Sequence, residues 1–120
     1  MNILAIDTAL KACSAACIYV DRDGKVLVRA SETRVMSRGQ AEALIPLVKS
    51  VMAVAGIGFS DLDRIAVSIG PGTFTGVRTG LAAARGLALA SGLPLTGIGT
   101  LEAFAWDVLT GAARPETVDR

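Results

Sequence analysis

The sequence contains no histidine, and this absence excludes several kinds of active site. Without histidine, a protease-type nucleophile has no evident base, and the two cysteines, Cys13 and Cys17, lack the further ligands that would complete a zinc site. We therefore predict no metal site and expect both thiols to be buried, as free cysteine usually is. Aromatic residues make up only 4% of the chain, so small aliphatic side chains must fill the core.

The chain also lacks an excess of charge of either sign and a long uncharged apolar run. Twelve basic and eleven acidic residues give a net charge of +1, which provides no strong field for binding a polyanion without help. Arg78 and Arg85 interrupt the most apolar region, which excludes a membrane span. Asp7 and Lys11 interrupt the N-terminal apolar run, which is therefore unlike a signal peptide. We expect a cytoplasmic protein that does not associate with membranes.

The length of 120 residues fits one domain. Turn residues and apolar periodicity predict eight elements in the order βββαβαβα: strands over 2–8, 13–20, 25–33, 64–69 and 95–98, and helices over 40–55, 76–91 and from Thr100 onwards. A meander followed by crossovers predicts an α/β fold with a mixed five-stranded sheet, as in a ribonuclease-H-like lobe of the actin and Hsp70 class. Residues 1–110 would form this lobe, residues 111–120 would form a linker or frayed tail, and a second lobe would be absent.

A glycine-rich turn, SIGPGTFTGVRTG at 68–80, separates the fourth strand from the second helix. Backbone N–H groups at such a helix start can hold an anion, although the spacing fits neither a Walker A loop nor a dinucleotide fingerprint. The residues of this turn that we expect near an anion or nucleotide are Gly70, Gly72, Thr73, Thr75 and Gly76. The alternative is that the glycines only permit a tight turn and that Thr75 caps the helix.

Asp7, at the end of the first strand, could join the same candidate site together with Thr8 and Lys11. A nuclease of the ribonuclease H type needs further carboxylates that converge on divalent metals. The fourth strand ends in Ser68 and Gly70 instead, so nuclease activity is not expected. The alternative role for Asp7 is to accept hydrogen bonds from the turn that follows it.

The second predicted helix has two faces built mainly from small or aliphatic residues. Val77, Leu81, Ala84 and Ala88 form one of them, and Thr79, Ala83, Gly86 and Ala90 form the other. The sheet of one lobe can cover only one face, so the smooth second face predicts contact with another helix. That helix could belong to a second molecule or could be the neighbouring helix of the same chain.

Four stretches resemble the TsaB (YeaZ) family, which takes part in the threonylcarbamoyladenosine modification of tRNA and was formerly grouped with glycoprotease-like proteins. They are ILAIDTA at 3–9, GPGTFTGVR at 70–78, QAEALIP at 40–46 and GIGTLEA at 97–103. Together they extend over nearly the whole chain, and the glycine-rich motif is the most specific of them. The chain departs from many relatives by the absence of a histidine near Gln40.

The resemblance implies a non-catalytic subunit that binds a TsaD-like catalytic subunit and a TsaE-like ATPase, and that reaches tRNA only through the complex. It also implies a homodimer when the partner is missing, and ATP or ADP at the partner boundary with no cofactor in this chain itself. The pairing surface would lie on the two first-lobe helices, at Ala41, Ile45, Val48, Met52, Arg78, Thr79, Ala83, Gly86 and Ala90. The catalytic subunit's paired-histidine metal motif has no counterpart here.

Two other interpretations stay open. The chain could be a nucleotide-binding enzyme of the sugar-kinase or ATPase class, which would use Asp7 and the turn near Lys11 at a phosphate. It could also be a homodimeric structural protein. The peptidase activity once assigned to the wider family is not expected, because no histidine or evident metal site could activate a nucleophile.

Overall fold

A computed structural model of the chain describes residues 1–99. Its elements are the strands β1 (Asn2–Asp7), β2 (Ala12–Val20), β3 (Val26–Val35), β4 (Arg64–Ser68) and β5 (Leu95–Ile98), the helices α1 (Gln40–Ala55) and α2 (Phe74–Ser91), and a short 3₁₀ turn (Phe59–Asp61). The predicted order of the first seven elements and the mixed α/β sheet are confirmed. The predicted helix from Thr100 and the predicted tail at 111–120 lie outside the described residues.

The five strands form one sheet in the order β3-β2-β1-β4-β5. β1 pairs antiparallel with β2 and parallel with β4, so a meander and a parallel unit share the central strand. α1 packs against β2 and β3, while α2 packs against β4 and β1 and lies beside α1. The carboxyl ends of the parallel neighbours β1 and β4 therefore lie side by side, and the glycine-rich turn begins after the end of β4.

The core between the sheet and the helices is aliphatic, as the scarcity of aromatic residues predicted. Its largest fully buried side chains are Leu4, Leu44, Leu47, Val48, Val51, Ile65 and Val67. The sheet contributes alternate residues, such as Leu4 and Ile6 of β1, because successive side chains of a strand point to opposite faces. α1 runs through Pro46 without ending and stops at Gly56, where φ is +75°.

The turn between β2 and β3 forms as its composition predicts. Gly24 adopts a φ of +81°, a conformation that glycine reaches without strain. The Asp21 Oδ1 atom accepts hydrogen bonds from the backbone N–H groups of Asp23 and Lys25, both at 2.9 Å. The carboxylate thus fixes the turn from inside, which is the usual role of aspartate at such positions.

Cys13 and Cys17 are free and buried on the side of β2 that faces the core, as expected from the sequence. Burial raises the pKa of both thiols above 9.0, and Arg34 near Cys13 and Arg29 near Cys17 reduce this effect. The folded state therefore holds these protons more firmly than the unfolded chain does. This contribution to stability is complete below the ordinary thiol pKa and is lost as the pH rises through the higher folded value.

Candidate functional site

The glycine-rich turn packs directly on the turn between β1 and β2. The backbone N–H of Thr73 donates to the carbonyl oxygen of Ala9 at 2.6 Å. A β-carbon at Gly72 would overlap this same carbonyl, and a β-carbon at Gly76 would overlap the carbonyl oxygen of Thr8. Close approach of two backbones therefore requires glycine at these positions. Gly70 has a φ of +103° and precedes a cis peptide bond to Pro71.

The cap of α2 is Thr73, so the prediction that Thr75 caps the helix is wrong. The Thr73 hydroxyl accepts a hydrogen bond from the N–H of Gly76 at 3.0 Å, whereas Thr75 lies exposed inside the first turn. Two threonines two residues apart both suit a cap. The contact between Thr73 and Ala9 decides between them, because it holds Thr73 in extended backbone just before the helix.

Thr8 lies beneath the start of α2 and is only 1% exposed. Its hydroxyl donates to the carbonyl oxygen of Gly76 at 2.5 Å. Gly76 is also buried, and so is Gly80, whose β-carbon would overlap the Thr8 hydroxyl. The structure thus brings together Thr8 and Gly76, two residues of the predicted site, in a buried contact that joins α2 to the end of β1.

Asp7 connects the ends of the two central strands. Its Oδ1 atom accepts hydrogen bonds from the N–H of Ala9 at 2.9 Å and from the hydroxyl of Ser68, at the end of β4, at 2.7 Å. The interpretation that Asp7 orders the turn after it is supported by the first of these bonds. Within residues 1–99, no three histidine, cysteine, aspartate or glutamate side chains come close enough together to hold a metal ion.

A cleft of about 460 Å³ opens between the starts of α1 and α2. The predicted residues Lys11, Thr73, Thr75 and Gly76 line it, whereas Gly70 and Gly72 do not. Arg38 adds a second positive charge, and no carboxylate of residues 1–99 forms an ion pair with it or with Lys11. No side chain of the described part of the chain caps the N-terminus of α1, so its first backbone N–H groups add to the positive potential.

The partner face predicted on α1 needs correction, because Val48 and Met52 are 1% and 4% exposed and belong to the core. Ala41 and Ile45, nearer the start of the helix, are exposed as predicted. All four residues share one stripe, but only its second half, with Val48 and Met52, belongs to the buried core. Periodicity identifies a face of a helix without showing how much of it a neighbour covers.

The partner face predicted on α2 is shifted around the helix. Gly86, Ala90 and Arg78 are exposed, but Thr79 and Ala83 are half-buried on the side of α1. For Ala83, the alternative of a contact within the same chain is therefore supported. The side most open to solvent carries what we call the exposed α2 stripe: Phe74, Arg78, Ala82, Arg85 and Leu89.

The exposed α2 stripe borders a groove of about 460 Å³ between the two helices, lined by Ala41, Leu44, Phe74, Thr75, Arg78, Thr79, Ala82 and Ala83. Phe74 is 75% exposed and Leu89 is 86% exposed. The Arg78 guanidinium carbon lies 4.9 Å from the centre of the Phe74 ring. Phe74 and Leu89 are not among the residues predicted for the partner face, although the spacing 74, 78, 82, 85, 89 places them on one helical stripe.

The strand order and the two crossover helices define the class of protein: a lobe of the ribonuclease-H-like, actin-like ATPase fold. RuvC from Thermus thermophilus has a similar fold, with a TM-score of 0.60 at 17% identity over 82% of this chain and 64% of RuvC. No helix within residues 1–99 is both long and apolar enough to span a membrane.

The family is shown by comparison of the sequence. The family model "TsaD: tRNA N6-adenosine threonylcarbamoyltransferase" matches residues 30–118. The Escherichia coli K12 protein "tRNA threonylcarbamoyladenosine biosynthesis protein TsaB" is 39% identical over 105 residues, which are 88% of this chain and 43% of that protein. The structure of YeaZ from Pseudomonas aeruginosa has a TM-score of 0.72 at 37% identity, over 82% of this chain and 43% of YeaZ.

The chain belongs to the TsaD family and within it is similar to the TsaB (YeaZ) proteins, as its motifs predicted. It spans less than half the length of these relatives.

Proposed function

We propose that this chain acts in the threonylcarbamoyladenosine modification of tRNA as a non-catalytic subunit that pairs with a TsaD-like catalytic subunit through α1 and α2. The observation that carries the proposal is the exposed α2 stripe with the groove beside it. The names of its relatives support the pathway. The absence of histidine from the chain supports a non-catalytic role, because the catalytic subunit uses paired histidines.

The stripe has the properties of a helix-docking surface. Phe74 and Leu89 stand fifteen residues apart, or about 22 Å along the helix axis at 1.5 Å per residue. Burial of each would contribute about 1.5–3 kcal/mol. Between them, Ala82 and the nearby Gly86 have almost no side chain, which lets a second helix approach closely. Exposed apolar surface of this kind often marks an interaction site.

The remaining partners follow from the same proposal. A TsaE-like ATPase joins the pair, tRNA is contacted only through the complex, and two copies of this chain pair through the helix surface when the partner is missing. The net charge of +1 supports indirect contact with tRNA, because the chain offers little attraction of its own for a polyanion.

The test is reconstitution of the complex from purified subunits. We expect the chain to bind a TsaD-like subunit in calorimetry and to raise the rate of threonylcarbamoyl transfer to tRNA above that of the other components. Full transfer in the absence of the chain, or no measurable association with the TsaD-like subunit, would contradict the proposal. A variant with Arg22→Glu in the β2–β3 turn, away from α1 and α2, serves as the control and should behave like the wild type.

A second candidate function, nucleotide binding, is favoured by the cleft between Lys11 and Arg38. We propose that the phosphates of ATP or ADP bind there, at the boundary with the partner. Lys11 and Arg38, which form no ion pair within residues 1–99, and the helix start without a side-chain cap from those residues offer the donors that a phosphate requires. The carboxylate of Glu42 also lines the cleft and opposes this attraction, so we expect weak binding by the chain alone.

Calorimetric titration with ATP and magnesium tests this proposal. We expect little heat with the chain alone and clear binding once the TsaD-like subunit is present, and the substitution Lys11→Ala should lower the affinity. Tight binding by the isolated chain, together with ATP hydrolysis, would favour an enzyme of the sugar-kinase or ATPase class instead. If the complex binds ATP with the same affinity with and without Lys11→Ala, the phosphates do not bind in this cleft.

A further inference from the structure

The charges on α2 are all positive. Its eighteen residues include Arg78 and Arg85 and no acidic residue. Both arginines belong to the exposed α2 stripe, seven residues or about 10 Å apart along the helix axis. Neither guanidinium forms an ion pair with a carboxylate of residues 1–99, and that of Arg78 lies over the Phe74 ring.

α1 does not neutralise this surface. It carries Glu42 and Lys49, both exposed, so the two helices together have three positive charges and one negative. Glu42 lines the cleft at the helix starts and not the groove beside the exposed α2 stripe. Any protein that covers Phe74, Ala82 and Leu89 must therefore also cover two cations that have no counter-charge among residues 1–99.

We infer that the exposed α2 stripe selects a partner helix that carries two carboxylates about two turns apart with apolar residues between them, and that it prefers such a helix to a second copy of this chain. This inference rests on the proposed function and specifies the chemistry of the partner. Burial of a guanidinium without a counter-charge is unfavourable, whereas a carboxylate on the partner satisfies it with a charge-assisted hydrogen bond.

The symmetry of a homodimer would place like charges together, unlike a complex with an acidic partner. In a two-fold pair the same surface meets itself, so antiparallel contact of two exposed α2 stripes brings Arg78 of each copy near Arg85 of the other. Four guanidinium groups then face one another with no acid on either α2. Salt screens repulsion and attraction alike. It should therefore strengthen the homodimer and weaken the complex with the acidic partner.

The test measures both associations at about 50 mM and about 500 mM salt, a range over which the screening length falls several-fold. Calorimetry gives the affinity for the TsaD-like subunit, and sedimentation gives the dissociation constant of the homodimer. As salt rises, we expect the affinity for the TsaD-like subunit to fall and the homodimer to become tighter. The double substitution Arg78→Glu and Arg85→Glu should lower the affinity for the TsaD-like subunit at least about tenfold at low salt, and Arg78→Gln with Arg85→Gln should give a smaller loss.

The matched control, Arg22→Glu with Lys25→Glu, makes the same change in net charge on the β2–β3 turn and should leave both associations almost unchanged. Tight binding of the TsaD-like subunit by the Arg78→Glu, Arg85→Glu variant would overturn the charge selection and leave the proposed pairing intact. A homodimer that weakens as salt rises would also overturn it. If the wild-type chain fails to bind the TsaD-like subunit at either salt concentration, the proposed function fails as well.

Discussion

Replacement of Gly76 with alanine is expected to lower the free energy of unfolding by about 2–3 kcal/mol, whereas the same replacement at Gly86 should raise it by about 0.5–1 kcal/mol. Both glycines lie inside α2. The new methyl group at Gly76 would overlap the backbone carbonyl of Thr8, which cannot move without displacing the end of β1. The methyl group at Gly86 meets no atom of the described residues within 4 Å, so only the gain in helix propensity remains. Urea unfolding followed by circular dichroism measures both effects.

Gly80→Ala provides an internal comparison for this pair. Its methyl group would overlap the hydroxyl of Thr8 and not a backbone atom. The side chain can rotate away, but it then loses its hydrogen bond to Gly76, so we expect a loss between the other two results. Equal stabilities of the Gly76→Ala and Gly86→Ala variants would contradict the packing of α2 on Thr8.

Substitution of Phe74 and Leu89 together by serine is expected to weaken association with the TsaD-like subunit by about a hundredfold or more, because each large apolar side chain buried at an interface contributes about 1.5–3 kcal/mol. Both side chains are at least three-quarters exposed in the isolated chain. The free energy of unfolding should therefore change by less than about 0.5 kcal/mol. Calorimetric titration measures the affinity, and urea unfolding verifies that the fold is retained.

The control for this experiment is the pair Val35→Ser and Val54→Ser. These side chains are 83% and 73% exposed, so they match Phe74 and Leu89 in exposure. Val35 lies on β3, and Val54, nine residues after Ile45, lies on the opposite face of α1. Neither lines the groove between α1 and α2. The control should bind the partner as the wild type does. If both double variants lose the same affinity, or if neither loses any, the exposed α2 stripe is not part of the interface.

Most element boundaries could be predicted from the sequence because glycine, proline and aspartate mark the turns. Gly56 and Gly92 end the two helices, both with positive φ, and Asp21 fixes the hairpin turn. The periodicity of α1 gave its bounds correctly from Gln40 to Ala55, even across Pro46. These signals are local, so they can be interpreted before the tertiary contacts are known.

The details of the site could not be predicted, because they depend on which segments of the backbone come into contact in the folded chain. Gly76 and Gly86 have the same side chain in the same helix, yet only Gly76 lies against Thr8. Thr73 and Thr75 are equally suitable caps by residue type, and the hydrogen bond from the Thr73 N–H to the Ala9 carbonyl oxygen selects Thr73. Val48 is buried and Ile45 is exposed although both lie on the predicted face of α1, and no pattern within α1 reveals this difference.

The contact of α2 with Thr8 has a consequence for recognition. Gly76 and Gly80 set the helix backbone directly on the end of β1, so a turn of α2 about its own axis would drive main-chain atoms into each other. The exposed side of the helix is thus held at one orientation before any encounter. A preorganised surface loses little conformational entropy when it docks, and a rigid-body encounter should describe its association well.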